Sequence, residues 1–198
     1  MERGFTLVEL LVVTAIFVVI TGMILANHNR FGGRVILQNL AYDIALSIRQ
    51  AQVYGISVRQ FGGTFSGYGM HFVLSGPGVN TTTYVLFADI YPSVPNGLYD
   101  ADQGEQVESN TIAGGYRIVD LCALRLDVPR STPEDCDSIT SLDVLFRRPE
   151  PDAFISINGV SGVADQSALQ QRARIIVESL RGERMSIVIE KTGQINTE

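Results

Sequence analysis

The chain has 198 residues, a formal net charge of −6 and a hydrophobic fraction of 45%. From Val35 onward, 12 basic residues stand against 19 acidic ones, and Lys191 is the single lysine. Because binding to a nucleic-acid backbone needs clustered Lys and Arg, this balance argues against a nucleic-acid partner.

An apolar run extends from Phe5 to Ala26, after a short leader that ends in Gly4. At about 22 residues the run is long enough to cross a membrane, which takes roughly 20. A secretory signal peptide has a shorter apolar region of about 7–15 residues and then a small-residue cut site, which fits this run poorly. The run carries one carboxylate, Glu9, at a cost on the order of 2.5–3.5 kcal/mol for a charge at the centre of a membrane helix. We therefore predict a membrane helix in which Glu9 serves a function.

Residues 4–11 read Gly-Phe-Thr-Leu-Val-Glu-Leu-Leu. This segment resembles the N-terminal signal of type IV prepilins and type II secretion pseudopilins. The resemblance implies that a membrane prepilin peptidase cuts after Gly4, that the new amine of Phe5 is N-methylated, and that Glu9 becomes the fifth residue of the mature chain. It also implies a single-pass protein of the cytoplasmic (inner) membrane, with an extracytoplasmic head that later joins a pilus or pseudopilus.

The chemistry of Glu9 agrees with that resemblance. Cleavage would create a cation at Phe5, and Glu9 of a neighbouring subunit could neutralise it when the two helices pack side by side. A buried carboxylate without a partner is strongly disfavoured, whereas a paired one is tolerated. We therefore predict that Glu9 acts in assembly, and that it can set axial register as single buried polar residues do in coiled coils.

A second helical stretch follows the membrane run, with apolar residues at three- and four-residue spacing: Leu37, Leu40, Ala41, Ile44, Ile48 and Ala51. Gly55 is a stop signal, and a helix from Phe5 to Tyr54 would be about 75 Å long at 1.5 Å per residue. Residues 27–33, Asn-His-Asn-Arg-Phe-Gly-Gly, form helix poorly because each glycine costs about 1 kcal/mol relative to alanine. We predict a bend or a locally melted turn there.

Beyond a glycine-rich linker at 55–67 the pattern changes to short runs rich in Val, Ile, Tyr and Phe. The predicted strands are Tyr68–Ser75, Thr82–Tyr91, Tyr116–Val128, Ser141–Arg147, Ala153–Asn158, Ala173–Leu180 and Arg184–Thr192. Repeated hairpins without intervening helices indicate an antiparallel sheet or sandwich. The predicted fold is therefore α+β: a cytoplasmic leader at 1–4, a helix at 5–54 with its transmembrane part at 5–26, and a β-rich extracytoplasmic head at 68–198.

The two cysteines, Cys122 and Cys136, would lie on one side of the membrane if the N-terminus stays cytoplasmic. That side is oxidising in many bacteria, which favours a disulfide. Closing a loop of about 15 residues would contribute roughly 3 kcal/mol in the chain-entropy model. The alternative is two free cysteines, whereas a metal pair is disfavoured because no third and fourth ligands lie nearby.

An acidic segment between two predicted strands could bind calcium, which takes several oxygen ligands from a flexible loop. Its candidate ligands are Asp89, Asn96, Asp100, Asp102 and Glu105. Their spacing is not that of an EF-hand, but the segment resembles a loop of some minor pseudopilins. The alternative is a solvated hairpin loop. In either case we expect the segment 89–108 at a sheet edge or tip, because like charges repel.

The sequence holds no motif of an enzyme. It lacks the histidine spacing of a zinc site, the Gly-x-Ser-x-Gly elbow and a phosphate loop. Residues 46–58 and 186–195 resemble the helix end and closing strand of H-type minor pseudopilins and related minor pilins.

The predicted function is therefore a structural subunit, without a catalytic role or a required cofactor, of a type II secretion pseudopilus or type IV pilus. Its partners would be other pilins, the prepilin peptidase and an inner-membrane assembly platform with its ATPase. The alternative is a membrane-anchored enzyme or binding module with an uncleaved signal anchor.

Overall fold

The computed structural model describes residues 5–57, 59–74, 81–90 and 95–198, with the side chains of all of these except 26–32, 64 and 65. One long helix, α1 (Leu7–Ile56), is followed by antiparallel strands. The predicted α+β class is confirmed. The chain divides into two compact units, Met1–Ile36 and Leu37–Glu198.

The first unit is the N-terminal part of α1. Its segment Leu7–Leu25 is 19 residues long with a mean hydropathy of 2.6, so it is long and apolar enough to cross a membrane. The backbone of α1 is helical at every residue from Leu7 to Ile56, so the locally melted turn predicted at 27–33 was wrong. Inside a long helix each residue adds one hydrogen bond to an existing nucleus, and this gain outweighs the cost of two glycines.

The second unit contains the C-terminal part of α1 and the strands. The strands are β1 (Gln60–Phe61), β2 (Thr64–Phe65), β3 (Gly67–Val73), β4 (Thr83–Asp89), β5 (Gln106–Thr111), β6 (Arg117–Arg125), β7 (Ser141–Phe146), β8 (Ala153–Ile157), β9 (Gln170–Glu178), β10 (Arg184–Glu190) and β11 (Ile195–Thr197). Two short 3₁₀ helices, Ala101–Gln103 and Gln166–Ala168, lie in the connections.

These strands form two main sheets in which every pairing is antiparallel. The larger sheet has the order β5-β4-β3-β7-β8, and the smaller has the order β11-β10-β9-β6. Strands β1 and β2 pair with each other as a separate hairpin. That hairpin occupies part of the segment predicted as a linker at 55–67.

One core joins α1 to both sheets. The buried face of α1 consists of Leu37, Ala41, Ile44, Ala45, Ile48 and Ala51. It packs in one cluster with inward residues of the larger sheet, such as Phe72 and Val144, and of the smaller sheet, such as Ile175 and Ile187. The three- and four-residue spacing in the sequence therefore identified the buried face, with Leu40 at its margin.

All seven predicted strands overlap observed ones, although four observed strands were not predicted. The predicted ends at Ser75 and Tyr91 lie outside the described residues. The missed strands are β1, β2, β5 and β11. Strand β5 reads Gln-Val-Glu-Ser-Asn-Thr and lies at the edge of its sheet, where one side faces solvent and apolar alternation is not required.

Gly55 has a packing role that its sequence context did not reveal. A Cβ at this position would meet the backbone carbonyl of Phe146, lying 2.7 Å from the carbonyl carbon and closer still to the oxygen. The helix continues through Gly55 and ends one residue later. Glycine is therefore required here for close approach of the helix to β7, in addition to its place near a helix end.

Candidate functional site

The N-terminal segment presents its apolar side chains outward. Phe5 is 79% exposed, and the large hydrophobic side chains that follow it up to Leu25 are exposed as well. The polar groups close to the start of the helix are satisfied locally: the Glu9 backbone N–H donates to Thr6 Oγ1 at 3.2 Å, and Thr14 Oγ1 donates to the Leu10 and Leu11 carbonyls at 3.0 Å each. This arrangement suits a helix surrounded by lipid or by other helices.

The Glu9 carboxylate is the exception to this local satisfaction. It lies on the exposed surface of α1, and within the part of the chain that the structure describes no cation is paired with it. Gly4, the residue before the predicted cleavage point, lies outside the described residues. Cleavage after Gly4, methylation of Phe5 and the assembly role of Glu9 stay predictions.

In the second unit, α1 has an apolar stripe on the face opposite the core. Tyr42, Leu46 and Val53 are 52%, 65% and 61% exposed. Their spacing of four and seven residues places them along one side of the helix. Beside this stripe lies a groove of about 460 Å³ between α1 and β11, lined in part by Leu46, Arg49 and Thr197. This part of α1 is therefore apolar on two opposite faces, and among the described residues the outer face is left exposed.

Four of the five candidate calcium ligands are joined by hydrogen bonds in the β4–β5 connection. Asn96, Asp100 and Glu105 form a network, and Asp89 is joined to it through Asn96. Asp89 and Glu105 are fully buried. Asp89 accepts the backbone N–H groups of Asn96 (3.0 Å) and Gly97 (2.8 Å). Glu105 accepts those of Ile90 (2.9 Å) and Asp100 (2.8 Å).

The side chain of Asn96 completes this network by donating to Asp100 Oδ2 at 2.7 Å. Asp102, by contrast, is exposed in the 3₁₀ helix Ala101–Gln103. Within the described residues, no three His, Cys, Asp or Glu side chains are grouped as a metal site. Calcium would have to replace N–H donors that the buried carboxylates already accept, and calcium binding stays a prediction.

A pair formed by half-buried His71 and buried Asp143 fastens the same connection to the larger sheet, and sequence reasoning missed it. Asp143 on β7 contacts His71 Nδ1 on β3 at 2.7 Å and accepts the Tyr99 backbone N–H at 3.3 Å. The Tyr99 ring lies 5.0 Å from the His71 ring and 5.7 Å from the Phe87 ring. His71 and Asp143 are 72 residues apart, and their single hint in the sequence is a polar residue inside each predicted strand.

Burial controls the ionisation of these carboxyl groups. Desolvation raises the pKa of Asp89 from 3.8 to about 6, although hydrogen bonds from Gly97 and Asn96 oppose the rise and nearby Glu105 adds to it. Desolvation likewise raises the pKa of Asp143, against the opposing effect of His71. Both groups are thus less stable as anions in the folded head than in an unfolded chain.

We therefore expect acidification from pH 7 to pH 5 to stabilise the head through Asp89. The raised pKa means that the folded state binds a proton between about pH 4 and pH 6 while the unfolded state does not, so stability falls as pH rises through this range. Of the change from pH 7 to pH 5, only the unit below pH 6 protonates the folded state, so at about 1.4 kcal/mol per unit the gain in stability is roughly 1.4 kcal/mol. Urea unfolding of residues 35–198 at pH 7 and at pH 5, with a chelator present, measures this change in the free energy of unfolding. Asp89→Asn should flatten this pH dependence. If the free energy of unfolding of that variant still changes with pH as in the unmutated head, another group is responsible.

The cysteines lie together on the smaller sheet. Cys122 on β6 and Cys136 are joined by a disulfide with an S–S distance of 2.02 Å. Cys122 is fully buried. The bond ties the segment that follows β6 back onto that strand.

Comparison with known proteins yields one match. No curated protein and no solved structure matches the chain. Residues 1–25 match the family model described as the prokaryotic N-terminal methylation motif. This match and the apolar helix Leu7–Leu25 indicate a membrane-anchored protein with a type IV pilin-like N-terminal signal.

Proposed function

We propose that this chain is a structural subunit of a type II secretion pseudopilus or type IV pilus, assembled through its N-terminal helix. The observation that carries the proposal is the methylation motif at residues 1–25, which contains Gly4, Phe5 and Glu9 at the spacing of a prepilin signal. Pilin-like proteins of this kind are structural, and we propose no catalytic role and no required cofactor. The partners would be other pilins or pseudopilins, the prepilin peptidase and an inner-membrane assembly platform.

The two apolar faces of α1 in the second unit support assembly through the helix. A helix that serves only to cover a sheet would be polar on its outer face. Here Tyr42, Leu46 and Val53 instead expose apolar surface at helical spacing, which is typical of a surface that packs against another protein. We propose that this stripe packs against neighbouring subunits and that the head is extracytoplasmic.

The loose resemblance of residues 46–58 and 186–195 to H-type minor pseudopilins supports a minor-subunit role. The first segment contains the end of α1, and the second contains β10 from its third residue on, the turn that follows and the first residue of β11. A membrane-anchored enzyme or binding module with an uncleaved anchor is the alternative.

Processing of the N-terminus distinguishes a filament subunit from an enzyme or binding module with an uncleaved anchor. In cells with an active prepilin peptidase, we expect the mature mass to correspond to loss of Met1–Gly4 and gain of one methyl group on Phe5. Gly4→Glu should block cleavage almost completely, because a bulky charged side chain replaces the smallest residue at the cut site. Gly4→Ala is the matched control and should retain some cleavage. An intact N-terminus in the unmutated protein would exclude a processed filament subunit.

We also propose that the β4–β5 connection binds calcium, which requires Asp89 and Glu105 to exchange the backbone N–H groups that they accept for the ion. Added calcium should then raise the melting temperature of residues 35–198. The expected stabilisation is about 2.7 kcal/mol at a hundredfold excess over the dissociation constant. Asp100→Ala with Asp102→Ala should abolish this gain. A melting temperature that does not change after chelator treatment and calcium addition would leave the connection as a structural turn.

A further inference from the structure

The groove between α1 and β11 has a direction that two hydrogen bonds define. The Gln52 amide donates to the Gly193 carbonyl at 3.0 Å. One helical turn earlier, the Arg49 guanidinium donates to the Ile195 carbonyl at 3.2 Å. Strand β11 therefore runs antiparallel to α1, from the level of Arg49 toward that of Leu46. The groove of about 460 Å³ follows this path, lined in part by Tyr42, Leu46, Arg49, Ile195, Asn196 and Thr197.

The wall that β11 contributes is an open strand edge. Glu198 exchanges two backbone hydrogen bonds of 2.9 Å with Ser186 on β10. Bonded residues alternate along an antiparallel pair, so the N–H and C=O of Thr197, which lies opposite Ile187, point away from β10. Among the described residues neither group has a backbone partner. Such an edge is a template for an additional strand.

The wall that α1 contributes supplies an exposed apolar side chain, Leu46, and an unpaired cation, Arg49. Arg49 has five N–H donors and uses one of them on the Ile195 carbonyl. In the part of the chain that the structure describes, no carboxylate forms an ion pair with it. Asp43 lines the groove as well, but it lies six residues before Arg49, about 9 Å along the helix. The Arg49 end of the groove is therefore complementary to an acidic group.

We propose that this groove binds an extended peptide segment of a partner protein, which adds to β11 as an antiparallel strand. The unpaired backbone groups of Thr197 select a strand, because an α-helix already uses its own N–H and C=O groups internally. The proposal goes beyond filament assembly, and no step of it depends on the chain being a filament subunit.

The alternation of side chains along β11 predicts the sequence that such a segment carries. Ile195 is buried in the core with α1, and Thr197 lies on the same face of the strand. Side chains of directly opposed residues share a face, so the peptide residue opposite Thr197 faces the helix near Leu46. The residue opposite Ile195, two positions later in the peptide, lies beside Arg49. The recognised pattern is therefore an apolar residue followed two positions later by Asp or Glu.

The test uses the full chain in detergent micelles and the fluorescein-labelled peptide Thr-Ser-Thr-Val-Thr-Glu-Thr-Ser. We expect saturable binding by fluorescence anisotropy and slower hydrogen exchange at the Thr197 amide. Lysine in place of the peptide glutamate should weaken binding about fivefold through Arg49. N-methylation of the peptide valine should weaken it about tenfold, because the donor to the Thr197 carbonyl is lost.

Variants of the chain connect the binding to the groove. Arg49→Gln keeps a donor for the Ile195 carbonyl and should bind the glutamate and lysine peptides equally, whereas Arg49→Lys should retain the preference for glutamate. Val53→Ser is the control, because Val53 is exposed on α1 but does not line the groove, and it should bind like the unmutated chain.

Three results would overturn the proposal. The first is an absence of saturable binding at millimolar peptide. The second is equal binding of the N-methylated peptide, or an unchanged preference for glutamate in Arg49→Gln. The third is binding of a peptide with the sequence of residues 37–54 where the extended peptide does not bind, which would make a helix the occupant of the groove.

Discussion

Replacing Glu9 by valine is expected to remove the chain from filaments while leaving it in the membrane. The variant deletes the one carboxylate of the apolar run, so insertion should be unchanged or improved. In the proposed filament, the Phe5 amine of a neighbour then loses its partner. Breaking a buried ion pair costs about 3–5 kcal/mol, which corresponds to at least a hundredfold loss of incorporation. Leader cleavage should survive, and methylation of Phe5 should fall.

The measurement is the amount of the chain in sheared or purified filaments relative to the membrane fraction, with the N-terminal mass determined in both. Thr14→Val is the matched control, because the Thr14 hydroxyl bonds only to carbonyls of its own helix. It should assemble like the unmutated chain. Normal incorporation of Glu9→Val would mean that the carboxylate is incidental and that the pairing and register arguments are wrong.

Replacing Gly55 by alanine is expected to destabilise the head, against the sign that helix propensity predicts. In an exposed helix the change would stabilise by about 1 kcal/mol. Here the new methyl group would meet the Phe146 carbonyl, which belongs to β7 and cannot move without displacing the sheet. Overpacking of this kind costs about 1–3 kcal/mol. We therefore expect a net loss of stability in that range.

Urea unfolding of residues 35–198 measures the effect as a change in midpoint at constant slope. Asn39→Ala is the control in the same helix, because Asn39 is exposed and its replacement gains helix propensity without a clash. It should be neutral or slightly stabilising. If Gly55→Ala proved more stable than the unmutated head, the helix would have to approach β7 less closely than the structure shows.

The fold was predictable from the sequence wherever the pattern of neighbouring residues determines the local structure. The membrane run, the signal around Glu9 and the buried face from Leu37 to Ala51 follow from residue type and spacing along the chain. Seven strands were visible as β-branched and aromatic runs. The polar edge strand β5 was not, because an edge strand with a solvated face needs neither apolar alternation nor high β-propensity.

The sequence by itself determined that this chain has an apolar helix of membrane length, a pilin-like signal and an α+β head. Only the tertiary structure decided the strand order, the approach of Gly55 to Phe146 and the pairing of His71 with Asp143. The reason is physical: helical and strand periodicity are set by neighbours within a few residues. Strand register and the partners of buried polar groups depend on contacts between distant segments, which many sequences can satisfy in more than one way.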